Sequence, residues 1–226
     1  MRCSEQSVHD RLMAYCSKWS EEIDGLSDDA ARIAYFRNAL PHLLLNRALV
    51  RCLLEDIRAG RPYPDTRKVG FFENEILLYL DTYGRYSLRL YFHAGREYTV
   101  IHDHNAWGVS GVSWGSLGVV RYRLMEDDHK AGETVHGEHS RYARIEKIDH
   151  RILSAGEVAV THPLAPGIHQ TGNPGPHPNM MVTVYGRPAR RLYIQEYDSV
   201  TRHVSRRYPP RIRKQRLAGE ILSAFR

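Results

Sequence analysis

Between Ile76 and Tyr197 the chain breaks into nine short runs rich in β-branched and aromatic residues, and nothing else in the sequence constrains the fold as much. They are Ile76–Leu80, Tyr86–His93, Tyr98–Ile101, Val109–Trp114, Val119–Leu124, Arg144–Asp149, Glu157–Thr161, Met181–Tyr185 and Leu192–Tyr197. Clusters of Gly, Asp, Asn and Pro separate them at fairly even spacing, the pattern of an all-β sandwich or barrel. Nine such runs predict a mainly β chain, a jelly-roll barrel.

The leader reads differently. Val8, Leu12, Tyr15, Cys16, Trp19 and Ile23 recur every three or four residues, which places them on one helix face. Gly25 ends that helix, and Ser27, Asp28 and Asp29 open the next with a polar cap and an acidic first turn. Pro41 is expected to break or kink it. A third helix runs through Leu44, Val50, Leu53, Leu54 and Ile57 to Gly60, and the Gly60–Pro64 stretch punctuates the chain. We therefore expect a helical segment over 1–64 packed on a barrel over 65–210, with a basic tail or helix over 211–226, in one structural domain.

The formal charge of +6 is partly local, since the stretch from Arg187 to Arg226 is rich in arginine and poor in acids. A basic tail is more often a solvated face than a nucleic-acid site, and no zinc-finger, helix-turn-helix or RNA-binding signature accompanies it. No nucleic-acid partner is expected. Apolar runs such as Leu43–Leu45 fall far short of a membrane span, so no membrane partner is expected either. Cys3, Cys16 and Cys52 form no disulfide framework, and the first residues lack the apolar core of a signal peptide. Both point to a reducing, cytoplasmic setting. Oligomeric state is not legible.

The strongest local signal is Ile101-His102-Asp103-His104-Asn105. Alternate side chains of a strand share a face, so His102 and His104 point one way and Asp103 the other. Two imidazoles projecting together can take adjacent positions on one zinc, iron, nickel or copper ion. Alone, the run is as readily a surface feature of a chain with 13 histidines. Downstream, a strand over Gly156–Thr161 leads into Pro166-Gly167-Ile168-His169, with Asn173 four residues on. A Pro-Gly turn there delivers His169 as a third ligand. The two segments match the two-part cupin signature, which pairs a His-x-His strand and a following glycine, here Gly115, with a later Pro-x-Gly-like turn, His and Asn. The glutamate that usually follows the second histidine is missing, because Gly108 and Val109 stand there. The expected ligand set is thus His102, His104 and His169, all neutral, leaving the metal its full charge for an anionic ligand such as a thiolate.

From Ile101 to Tyr185 the sequence resembles the cysteine dioxygenase superfamily, and more closely its bacterial 3-mercaptopropionate dioxygenase branch. The matching residues are His102-Asp103-His104, Trp107-Gly108-Val109, Gly111, Gly115, Pro166-Gly167-Ile168-His169, Asn173 and Val184-Tyr185-Gly186. Leu77-Leu78-Tyr79, Asp81 and Gly84-Arg85-Tyr86 are similar to the strands before the first motif, so the resemblance covers roughly residues 72–200. It implies a cupin jelly roll holding Fe(II) through three histidines, with a small thiol and dioxygen as partners and a sulfinate as product. It also implies that Tyr185 sits beside the iron as the catalytic phenol, and Met181, Thr183 and Tyr185 share strand parity. Mammalian-type members crosslink this tyrosine to a cysteine. Gly108 holds that position here, so no crosslink is expected.

Two departures bear on substrate. Met181-Val182-Thr183-Val184-Tyr185 replaces the family's Ser-x-His-x-Tyr, so Thr183 keeps at most one hydrogen bond of that relay. Candidates to anchor a substrate carboxylate are Asn74, Arg89, Arg187 and Arg191, with Arg89 sharing parity with Tyr91 and His93. Arg89, Arg191 and Thr183 are taken as the substrate-binding set. His93, His129, His136, His139, His162 and His177 are expected to be solvent-exposed rather than ligands, although His162 is also a candidate to support the site from behind a ligand. Trp107 and Trp114 are expected to pack the barrel. A cupin enzyme using another metal or a non-thiol substrate, and a non-catalytic ligand-sensing cupin, are the alternative readings.

Overall fold

A computed structural model describes residues 8–60, 72, 74–135, 138–189 and 191–224. Three helices open the chain: α1 (Val8–Glu22), α2 (Asp29–Leu44) and α3 (Arg47–Arg58). Asp28 caps α2 by accepting from the Ala31 amide, and Asn46 caps α3 by accepting from Leu49. Pro41 does not break α2, because the helix ends one turn later at Leu44 and little of it lies beyond the lost bond.

Among the described residues eleven strands follow, all paired antiparallel. The first sheet is built from β1 (Glu75–Leu80), β2 (Tyr86–His93), β4 (Gly108–Trp114), β7 (Val158–Thr161) and β9 (Asn179–Gly186), in the order β1-β2-β9-β4-β7. The other six strands close into a ring in the order β10-β11-β6-β5-β8-β3. They are β3 (Ile101–His102), β5 (Leu117–Val135), β6 (Glu138–Leu153), β8 (His169–Gly172), β10 (Ile194–Tyr197) and β11 (His203–Arg207). This is the expected mainly β barrel behind an N-terminal helical segment.

The first sheet is buried on both faces, and alternation assigns each face a different chemistry. Tyr86, Leu88, Leu90, Val109, Met180, Val182 and Val184 form one core with Leu12, Trp19, Phe36, Leu40, Leu44 and Leu53 of the helices. The intervening residues turn the other way. Tyr91, His93, Ser110, Met181 and Tyr185 line an internal cavity. Trp107 is buried in the helix-side core as expected, whereas Trp114 is 65% exposed.

The segment around His129 and His139 is not a loop, because β5 and β6 continue as a long hairpin that pairs His129 with Arg141 and Thr134 with His139. His136 lies outside the described residues. The predicted strand over Tyr98–Ile101 reduces to an isolated bridge from Tyr98 to Gly172 and the two-residue β3. The terminal helix α4 spans Pro210–Ala224. Cys16 is free and buried, but Cys52 is disulfide-bonded, so cysteine usage no longer argues for a reducing compartment. Among the described residues no helix is long and apolar enough to cross a membrane.

Candidate metal centre

His102, His104 and His169 come together and are all buried. His102 and His169 are direct cross-strand partners on β3 and β8. Although β3 ends at His102, the alternation continues beyond it. His104 turns inward with His102, while Asp103 turns outward, wholly buried on the far side. There the Asp103 carboxylate accepts both Arg191 Nη groups, at 2.8 and 2.5 Å, and the Gln195 amide at 2.8 Å. Asn105 extends the clamp: its Oδ1 accepts Arg191 Nε at 2.6 Å and its Nδ2 donates to the Arg191 carbonyl at 2.8 Å. The fork geometry of a guanidinium thus fixes the backbone on which both histidines ride.

Gly167 explains how the chain reaches the third ligand. A short 3₁₀ turn, Ala165–Gly167, precedes β8, and a Cβ at Gly167 would lie 1.7 Å from the His162 carbonyl oxygen. Only glycine fits after Pro166 in this turn at that spacing. His162 itself is exposed, and the hydroxyl that meets His169 belongs to Thr161, with its Oγ1 3.2 Å from Nδ1. His102 Nδ1 donates to the Val100 carbonyl at 2.8 Å, which leaves its Nε2 as a lone pair.

The Nε2 of His104 lies 3.1 Å from that of His102 and 3.2 Å from that of His169. Nitrogens bound at about 2.1 Å lie about 3.0 Å apart on neighbouring octahedral corners and about 3.4 Å apart in a tetrahedron, so these separations suit one shared ion. Burial pushes His102 down to about 4 and holds His104 and His169 well below the usual imidazole value, His104 being lowered further by both other histidines. Three neutral imidazoles therefore converge where a cation could be shared among their Nε2 atoms. The donor set fits a metal, and among the described residues no carboxylate belongs to the cluster.

Tyr185 faces this cluster, its ring centroid 5.3 Å from that of His104. Burial pushes its phenol up to about 12, against the lowering effect of the neighbouring Tyr91 and Thr183 hydroxyls, so it is protonated at neutral pH. Thr183 also donates to Ser110 Oγ at 2.9 Å. Gly108 is the register partner of Tyr185, and a Cβ there would come 3.0 Å from Tyr185 Cε1. The ring packs flat on the sheet because that position carries no side chain.

The other predicted residues divide. Arg89 lies on the same inward face, its guanidinium 5.9 Å from the Tyr185 centroid, but it is paired with Glu75. Asn74 lines the cavity and donates to the Phe92 carbonyl at 2.6 Å. Arg191 is not brought into the cavity, being held by Asp103, and Arg187 is exposed. His93 is not solvent-exposed: it is 1% exposed, lines the cavity and meets Asn179 Oδ1 at 2.9 Å. Sequence reading missed Thr161, Tyr91 and Glu75. For Tyr91 the signal was present, since it shares parity with Arg89 and His93.

Several solved structures resemble this fold. A cupin 2 conserved barrel domain protein from Salinispora arenicola is 17% identical over 56% of this chain and 86% of its own, with a TM-score of 0.35. A cupin 2 domain-containing protein from Halorhodospira halophila is 16% identical over 59% of this chain and 75% of its own, with a TM-score of 0.38. Lactobacillus farciminis oxalate decarboxylase is 17% identical over 54% of this chain and 31% of its own, with a TM-score of 0.33. No family model and no curated protein matches the chain. What the centre can do therefore follows from its own atoms: three buried histidines inside a β barrel are grouped so that they could hold one metal ion.

Proposed function

We propose that the chain is an Fe(II)-dependent thiol dioxygenase that converts a small thiol to its sulfinate. The observation that carries this reading is the convergence of three neutral imidazoles, without a carboxylate, beside a protonated phenol. An iron ion held by His102, His104 and His169 would supply positive charge and open positions for a thiolate and for dioxygen. The net reaction is RS⁻ + O₂ → RSO₂⁻: both oxygen atoms join sulfur, which loses the four electrons that dioxygen gains, and no proton is consumed.

Within that reaction Tyr185 donates a hydrogen bond to charge developing in the cavity, with the hydroxyls of Tyr91 and Thr183 beside it. Thr183 donates in turn to Ser110 Oγ at 2.9 Å, which holds its hydroxyl in place where the family's histidine relay is missing. Phe72 and Met181 line the same cavity and limit the water within it. Oxygen uptake by iron-loaded protein across a panel of small thiols, with sulfinate detected by mass spectrometry, tests the reading. Stoichiometric zinc or nickel with dioxygen-independent activity would replace it with another cupin chemistry.

A further inference from the structure

The cavity beside the three histidines carries no formal charge of its own among the described residues that line it: they are aromatic, hydroxyl, amide, imidazole and thioether groups. Among the described residues three guanidinium groups stand around it, and each already has a carboxylate. Arg89, over the Tyr185 ring, pairs through Nη1 with Glu75, whose side chain is 5% exposed, and its Nε donates to Ser87 Oγ at 3.2 Å. Arg191 is gripped by Asp103, whose side chain is 1% exposed. Arg207, over the ring of Phe72 at 5.5 Å, lies 2.6 Å from Glu196. Phe72 in turn packs edge-on against His102.

Among the described residues, a substrate carboxylate entering this cavity meets no uncommitted cation. To recruit Arg89 it would have to displace Glu75 and leave that carboxylate buried without a partner, beside its own negative charge. A short uncharged tail meets no such obstacle. It can lie against Phe72, Tyr91 and Met181 and hydrogen-bond to the hydroxyls between them.

We propose that this site selects thiols whose tail carries no carboxylate, and that Glu75 is the specificity-determining residue, because it keeps Arg89 from serving as an anchor. The proposal rests on the thiol dioxygenase reading above and narrows its substrate class to short, uncharged thiols.

The test compares propane-1-thiol and 2-mercaptoethanol with 3-mercaptopropionate, cysteine and cysteamine, using the iron-loaded full chain. Two readouts are taken: kcat/KM for sulfinate formation, and Kd for anaerobic thiol binding followed by the thiolate-to-iron absorption band. The uncharged thiols should lead in both by about tenfold or more, as expected when a charged group lacks its partner. Glu75→Gln should raise 3-mercaptopropionate relative to propane-1-thiol by about tenfold in binding, and Glu75→Gln with Arg89→Gln should abolish that gain. The wild-type comparison depends on no variant. A wild-type preference for 3-mercaptopropionate, cysteine or cysteamine overturns the substrate class while leaving the dioxygenase reading intact. Oxidation of none of the five, with none bound anaerobically, overturns the reading and the proposal together.

Discussion

His102 and His169 stand directly opposite each other across β3 and β8, and that one register pair is the point at which the six-stranded ring closes. Two ligands of the candidate metal centre are thus also the two sides of a seam. A metal bound there would add a cross-link between these strands to the hydrogen bonds that Thr99 makes with Gln170 and Thr171, so occupancy and fold stability should be coupled. Saturation at 100 times Kd should add about 2.7 kcal/mol, or roughly 5–10 °C in Tm for a chain of this size. His102→Ala and His169→Ala should each abolish the metal-dependent rise, read by thermal melts with and without Fe(II) and by metal analysis. An unchanged rise in either variant would remove these residues from the ligand set.

Acid should weaken the chelator-treated protein earlier than it weakens most folds. An unfolded imidazole takes up a proton near pH 6.5, whereas burial holds His102 to about 4 and keeps the other two well below the usual value. Between those values the unfolded chain binds more protons than the folded one. Stability is therefore fully present above about 6.5 and is lost as pH falls toward 4, by up to about 1.4 kcal/mol per unit for each histidine. Urea unfolding at pH 7.5, 6 and 5 measures the slope, and a flat profile over that range would contradict it.

The Arg191 clamp should control the metal without touching it. Arg191→Ala leaves Asp103 buried and unpaired and frees the backbone under His102 and His104. Metal affinity should fall about 10- to 100-fold, the usual cost of losing such a supporting contact. Arg191→Lys should recover little, because a lysine cannot span both carboxylate oxygens and Asn105. Isothermal titration with Fe(II) or Co(II) reads the loss.

Removing one hydroxyl should separate binding from turnover. Tyr185→Phe keeps the ring against His104 and Gly108 but removes the phenol. We expect unchanged metal content and thiol Kd with kcat lowered about 10- to 100-fold. Because the phenol titrates near 12, the wild-type pH profile should show no basic limb from it below about pH 10. An unaltered kcat would take Tyr185 out of the reaction.

The parts legible in the sequence were those with a short-range signature. Period-two alternation placed His102 and His104 together, and the Pro-Gly turn before His169 gave the third ligand. The helix face from Val8 to Ile23 was equally plain. What escaped depends on pairing between distant strands. Arg191 and Asp103 are 88 positions apart and Arg89 and Glu75 are 14 apart, so no local pattern shows that both arginines are already taken. His93 and Trp114 were misjudged for a related reason: residue type and spacing predict that a strand exists but not which of its ends the next sheet covers. His93 ends up in the cavity and Trp114 in solvent.

The helices α1–α3 have a practical consequence for anyone seeking a minimal catalytic barrel. They form the outer wall of the sheet that carries Tyr185, packing on Leu88, Leu90, Val109, Val182 and Val184. Trimming the chain at residue 64 would strip that wall and leave a contiguous oily sheet facing water, a surface prone to self-association. Tyr91, Thr183 and Tyr185 alternate with those residues on the same strands, so the cavity would lose its shape with its support. The smallest active unit should therefore begin at the first helix rather than the first strand.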